Sequence, residues 1–316
     1  MKILIGICAG IFWALDTVIL NLFLEGEDPG IAERLLPFLP LLVTFLHDIC
    51  SAAYLLFFMA WKKQLKKIKK ALFTREGKFV ILGALFGGPL GMTGYVLSIR
   101  YLGAGNTAMI SALFPALGSF MAWIILKEKL TAGQIIGLLL SITGMVLMGG
   151  TITGIEQEKF LPGILFALIC VCGWASEVII CGYGMKSGVI NNEQALTIRQ
   201  MTSALFYFCI ILSGIRGHGA VLQIMGSKGM LIIMAAALAG TVSYLCYYRT
   251  IHQLGASTAM ALNITYAAWA LLFEMLILHT AKNLKEVVCG MIIVVGALIS
   301  AVSEGRRKNA VSYTHL

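Results

Sequence analysis

Ten stretches of the chain are apolar along nearly their whole length: about 3–23, 37–60, 79–99, 105–126, 132–150, 161–181, 194–214, 229–248, 257–279 and 285–303. Each is close to the ~20 residues an α-helix needs to cross a hydrocarbon core. Polar and charged residues gather in the short segments between them. A backbone in lipid must satisfy its own hydrogen bonds, so runs of this length predict helices. The pattern therefore predicts an all-α polytopic membrane protein of ten transmembrane helices, with almost nothing left over for a soluble domain. The first run continues from MKILIGICAG through Trp13 to Phe23 without a small-residue cleavage site, and reads as a retained helix rather than a signal peptide.

Composition agrees: of 316 residues, 59% are hydrophobic and 12% charged, a balance outside the soluble globular range. The net charge of +9 would suggest nucleic acid in a soluble protein, but its distribution gives a different reading. With both termini in the cytoplasm, the inner segments carry 16 basic residues and the outer ones 7, and eight of the inner ones fall in WKKQLKKIKKALFTREGK. That asymmetry follows the positive-inside rule and sets the orientation; the same basic loop is also open to a lipid-headgroup or partner role. Eight cysteines are scattered without paired metal-site spacing and read as ordinary buried residues. No metal or other cofactor is expected.

The chain resembles itself. YVLSIRYLGAGNTAM (95–109) matches YLCYYRTIHQLGASTAM (244–260), and FWALD (12–16) matches GWASE (173–177), so that Trp13 pairs with Trp174 and Asp16 with Glu177. His47, Ser51 and Ala52 stand opposite Arg199, Ser203 and Ala204. Residues 1–152 then form a first five-helix unit and 160–304 a second, followed by a cytoplasmic tail at 305–316. Five is odd, so the second unit enters the membrane from the opposite side. Inverted halves of this kind bring equivalent residues together near the midplane.

These residues carry a family resemblance. The tryptophans of helices 1 and 6, the stretch from Leu102 to Pro115 and the turn KEKLTAGQIIG (127–137) resemble ten-helix carriers of the drug/metabolite transporter superfamily, EamA type, over essentially the whole chain. The second half departs from the pattern where His279 stands opposite Glu128. FWALD, the His47–Asp48 pair and GALFGGPLGM (83–92) further resemble choline permeases of the Lic type. That resemblance implies proton-driven uptake of a quaternary ammonium across a bacterial cell membrane. The wider superfamily implies the alternative of an exporter of amino acids, metabolites or cationic drugs, and the same acids would serve antiport.

The residues themselves point to a cation site. A carboxylate in mid-membrane is costly and normally faces a protein interior or a water-filled path. A buried Asp or Glu can hold a proton or a substrate cation, which is the minimum needed for coupling. Asp16 and Glu177 are the candidates, with the alternative that they only neutralise His47 or Arg199. Asp48, beside His47, fits either a proton relay or a structural lock.

Trp13 and Trp174 each lie three residues before an acid, on the same helical face. Tyr95, Tyr244, Tyr266 and Trp269 extend a candidate aromatic cage, since aromatic faces hold quaternary ammonium with roughly 2 kcal/mol in a dry site. The other role open to these rings is packing or an interfacial belt. Gly88, Pro89 and Gly91 in helix 3 predict a kink or broken turn, serving as a hinge or allowing close packing; Leu238 takes the place of Pro89 in the second half. Arg100 and Arg249 read as headgroup anchors or gate residues. With no HExxH, GxSxG or phosphate-binding glycine loop, the chain is not expected to be an enzyme. A channel is another class open to such a chain, but inverted repeats with a midplane charge suit alternating access better.

Overall fold

The structure is a computed structural model. It describes the chain except residues 1, 25–29, 103–106, 108, 109, 112, 150–156, 280–282 and 314–316, and at 100, 148, 149, 157 and 304–313 it describes the backbone alone. The segment joining the expected halves, most of LGAGNTAM, the side chain of Arg100 and the tail beyond Tyr313 thus lie outside the described residues.

The described residues are helical almost throughout. Eight helices are long and apolar enough to cross a membrane: α1 (Lys2–Leu24), α2 (Glu33–Trp61), α3 (Arg75–Ile99), α6 (Glu158–Met185), α7 (Asn192–Ile215), α8 (Gly229–Leu254), α9 (Ala256–Ile277) and α10 (Leu284–Ser303). Two shorter apolar helices, α4 (Phe114–Leu126) and α5 (Ala132–Leu147), fall between α3 and α6. The chain is therefore a polytopic membrane protein by length and composition.

Burial is arranged as a bilayer requires. Large apolar side chains such as Phe57, Leu139, Leu205, Leu231 and Leu276 face outward, while Asp16, His47, Asp48, Glu177 and Arg199 are buried. In water this would be an unstable surface; in lipid it is the favourable one.

Local sequence sets the boundaries. Asn191 and Gln194 form a reciprocal capping box at the start of α7, and Thr74 caps α3 by accepting from the Gly77 N–H. Inside α3, Phe86–Met92 winds as a π-helical segment. Pro89 has no N–H to give to the regular ladder, and the wider turn accommodates it. Turn residues Ile264 and Thr265 interrupt α9 between Asn263 and Tyr266. The start of α9 is capped from a distance: Glu128, just after α4, accepts from the Ala256 N–H at 2.8 Å and the Ser257 hydroxyl at 2.8 Å. Sequence reading had no means to see this partner 128 residues away. Two short helices, Leu65–Leu72 and His218–Met225, lie outside the apolar runs.

The packing crosses between the two parts of the chain. α1 lies along α8, and α6 lies along α3; α2 meets both α7 and α8, while α7 also meets α3. α5 pairs with α10, and α4 with α9. The middle of this bundle is where the buried charges lie.

Candidate functional site

Three carboxylates and two bases form a continuous chain inside the bundle. α1 supplies Asp16, whose Oδ1 lies 3.2 Å from His47 Nε2 on α2, within ion-pair range. The ring N–H is not aimed for a hydrogen bond there. His47 Nδ1 is 3.7 Å from Asp48 Oδ1, and the same carboxylate oxygen is 3.7 Å from Arg199 Nη1 on α7. Ser203 donates to Asp48 Oδ2 at 2.6 Å. Arg199 Nε then donates to Glu177 Oε1 on α6 at 2.7 Å, and Tyr248 on α8 donates to the same oxygen at 3.0 Å. None of the five charged residues is more than 8% exposed.

Each of the three acids thus has a basic partner, yet two bases do not balance them. Counted with every carboxylate ionised, the cluster would carry one surplus negative charge when His47 is charged and two when His47 is neutral. A surplus charge in a low-dielectric interior is expensive, so the cluster calls for a proton or an external cation.

Glu177 also faces a cavity of about 530 Å³, counted with its open mouth, between α1, α4, α6, α8 and α9. Trp13, Trp174, Tyr244 and Tyr266 line it alongside Glu177. The rings are set at angles: Trp13 meets Tyr244 edge to face at 5.1 Å, and Trp174 meets Phe114 edge to face at 5.7 Å. The break in α9 lies at the cavity wall, as interrupted helices in carriers often do. Glycines bring α3 close enough to complete the site. A Cβ at Gly87 would collide with the Glu177 carboxylate, and one at Gly91 would lie 2.8 Å from the Trp174 ring.

Of the eight expected substrate residues, five line the cavity. Tyr95 stands behind Trp174, with ring centroids 5.2 Å apart. Asp16 sits instead with His47, against Gly240 of α8. Trp269 is not among the lining residues, although it lies one turn beyond Tyr266. The lining also includes Phe114, Tyr247 and Asn263, which sequence reading did not single out. Tyr247 follows Tyr244 by three residues, so helical spacing could have found it. Asn263 had no such signal, because the break beside it is not written in Gly or Pro.

An all-helical bundle with an apolar exterior, a charged interior and an aromatic-walled cavity is the build of a membrane transporter. The chain belongs to the EamA-like transporter family, whose profile matches residues 1–150 and again 161–302. It is 30% identical over 305 residues to Protein LicB of Haemophilus influenzae, spanning 96% of this chain and 99% of that one. It is 23% identical over 274 residues to an uncharacterized transporter of Clostridium kluyveri, across 84% and 83% of the two chains. A protein of known crystal structure shares the fold at a TM-score of 0.70 and 18% identity, over 96% of this chain and 98% of its own.

Proposed function

We propose that the protein is a secondary active transporter of a bacterial cell membrane that couples protons to uptake of choline or a similar small organic cation by alternating access. The observation that carries this reading is the position of Glu177, which lines an aromatic cavity and also ends a buried chain with surplus negative charge. Aromatic faces and one carboxylate suit a quaternary ammonium, which has no N–H to donate and is held by charge and ring quadrupole. The Asp16–His47–Asp48 end lies away from the cavity lining and is suited to carry the proton.

The architecture in this reading has ten crossings in two inverted halves, 1–152 and 160–304, with both termini cytoplasmic. Two features support it. The pairing of α1 with α8 is mirrored by that of α6 with α3, as a two-fold relation would require. Among the described residues, the non-glycine positions in the left-handed region are Lys63, Lys127, Arg216 and His279. They lie just past the ends of α2, α4, α7 and α9, which are equivalent positions in the two halves. Alternating access then uses the π-helical segment around Gly88, Pro89 and Gly91 as a hinge, which Leu238 in place of Pro89 does not repeat in the second half.

The reading is tested by equilibrium binding of labelled choline to the purified protein, with tetramethylammonium, neutral amino acids and the neutral carbon isostere of choline as competitors. Displacement by ammonium compounds at far lower concentration than by the isostere, with no effect of amino acids, supports it. Displacement by neutral amino acids assigns the cavity to another substrate class.

A further inference from the structure

Glu177 presents a difficulty for simple cation binding, because a permanent cation already holds it from behind. Arg199 Nε and Nη2 reach its two oxygens at 2.7 and 3.4 Å. Nη2 also donates to the Tyr244 hydroxyl at 3.2 Å, and the guanidinium carbon lies 4.8 Å from that ring's centroid. The two cavity-wall groups best suited to an ammonium are therefore both engaged by Arg199, which is itself 2% exposed and does not line the cavity. An ammonium entering from the cavity side would face a like charge across one carboxylate.

A second carboxylate stands within reach of the guanidinium. Asp48 Oδ1 is 3.7 Å from Nη1, close enough to attract it but beyond hydrogen-bond distance, while Nη1 is bonded to Gln200 Oε1. Arg199 thus sits between two acids, tightly on one and loosely on the other. The matching position in the first half is His47, which lies similarly between Asp16 and Asp48. One half has a base that can release its charge as a proton. The other has a base that keeps its charge and can change its position.

We propose that Arg199 is a tethered internal cation, which holds Glu177 while the carrier is empty and shifts toward Asp48 when a substrate ammonium takes Glu177. The inference rests on the cation-transport reading and adds the step that resets the carrier. Once the substrate leaves, the guanidinium returns to Glu177, so the empty carrier does not carry a bare carboxylate through its occluded state. The groups facing Arg199 are Glu177 from α6, Asp48 from α2 and Tyr244 from α8, with Gln200 on its own helix.

The test compares two modes of transport in proteoliposomes bearing Arg199→Gln. Choline–choline exchange needs only the loaded carrier to move, whereas net uptake also needs the empty carrier to return. The expected result is a choline Kd about tenfold lower, exchange retained, and net uptake reduced at least tenfold. Parallel loss of exchange and net uptake in a monodisperse protein would overturn the proposal in favour of a structural tie. Unchanged values of both would overturn it as well.

Should Arg199→Gln not fold, Tyr244→Phe removes the hydroxyl that accepts from Arg199 and keeps the ring face. A lower choline Kd in that variant supports the proposal, and an unchanged or higher one overturns it. Wild-type protein that exchanges no choline removes the cation-transport reading itself, and this outcome is separate from any behaviour of the variants.

Discussion

Replacing Trp13 by Leu separates charge recognition from packing. Trp13 is half-buried, lines the cavity with Glu177 and packs edge to face with Tyr244 at an interplanar angle of 85°. Leucine keeps an apolar wall and removes the ring quadrupole. Choline and its neutral isostere, in which carbon replaces nitrogen, have nearly the same shape, so the loss of contact area weakens both alike. The cation–π part, roughly 2 kcal/mol in a desolvated site, is lost for choline alone and corresponds to about 30-fold in Kd. Competition against labelled choline should show Trp13→Leu weakening choline about 30-fold more than the isostere, with Trp13→Phe between. Equal weakening of the two ligands would refute the reasoning and make Trp13 a packing residue.

Other substitutions probe separate parts of the site. Asp16→Asn removes a carboxylate from the His47 end and should abolish gradient-driven accumulation of choline; wild-type accumulation would return Asp16 to the role of a structural partner for His47. Gly87→Ala places a methyl against the Glu177 carboxylate and should raise the choline Kd more than tenfold, whereas a wild-type Kd would contradict the close approach of α3 to α6. Glu128→Gln removes the charge that caps α9 and should cost about 1–2 kcal/mol. That appears as a melting temperature a few degrees lower, and an unchanged value would show that the cap contributes little.

Much of the fold is legible in the sequence because lipid imposes a single rule, that the backbone must bond to itself over a bilayer's width. Runs such as 229–248 and 257–279 accordingly reappear as Gly229–Leu254 and Ala256–Ile277. Their ends drift by several residues, because helices continue into the interface where hydropathy no longer distinguishes them. Within the site, Trp13, Trp174, Glu177, Tyr244 and Tyr266 were legible through helical spacing and the internal repeat. The pairing of Arg199 with Glu177 depends on how α6 meets α7, and the repeat alone left its partner open. Asp16 and Glu177 match in sequence but not in setting: one faces His47 and Gly240, the other Arg199 and the cavity. A two-fold sequence match does not preserve which acid meets open space, since Phe114 and the break after Asn263 shape the cavity on one side.

The central claim is that a buried acid cluster carries protons inward together with an organic cation held in the aromatic cavity. Its most direct test is choline uptake into proteoliposomes of the purified protein, with and without an inward proton gradient. Saturable uptake that the gradient drives to accumulation, and that ammonium analogues alone block, is the predicted result. Uptake that ignores the gradient, or that neutral amino acids block equally well, would contradict it.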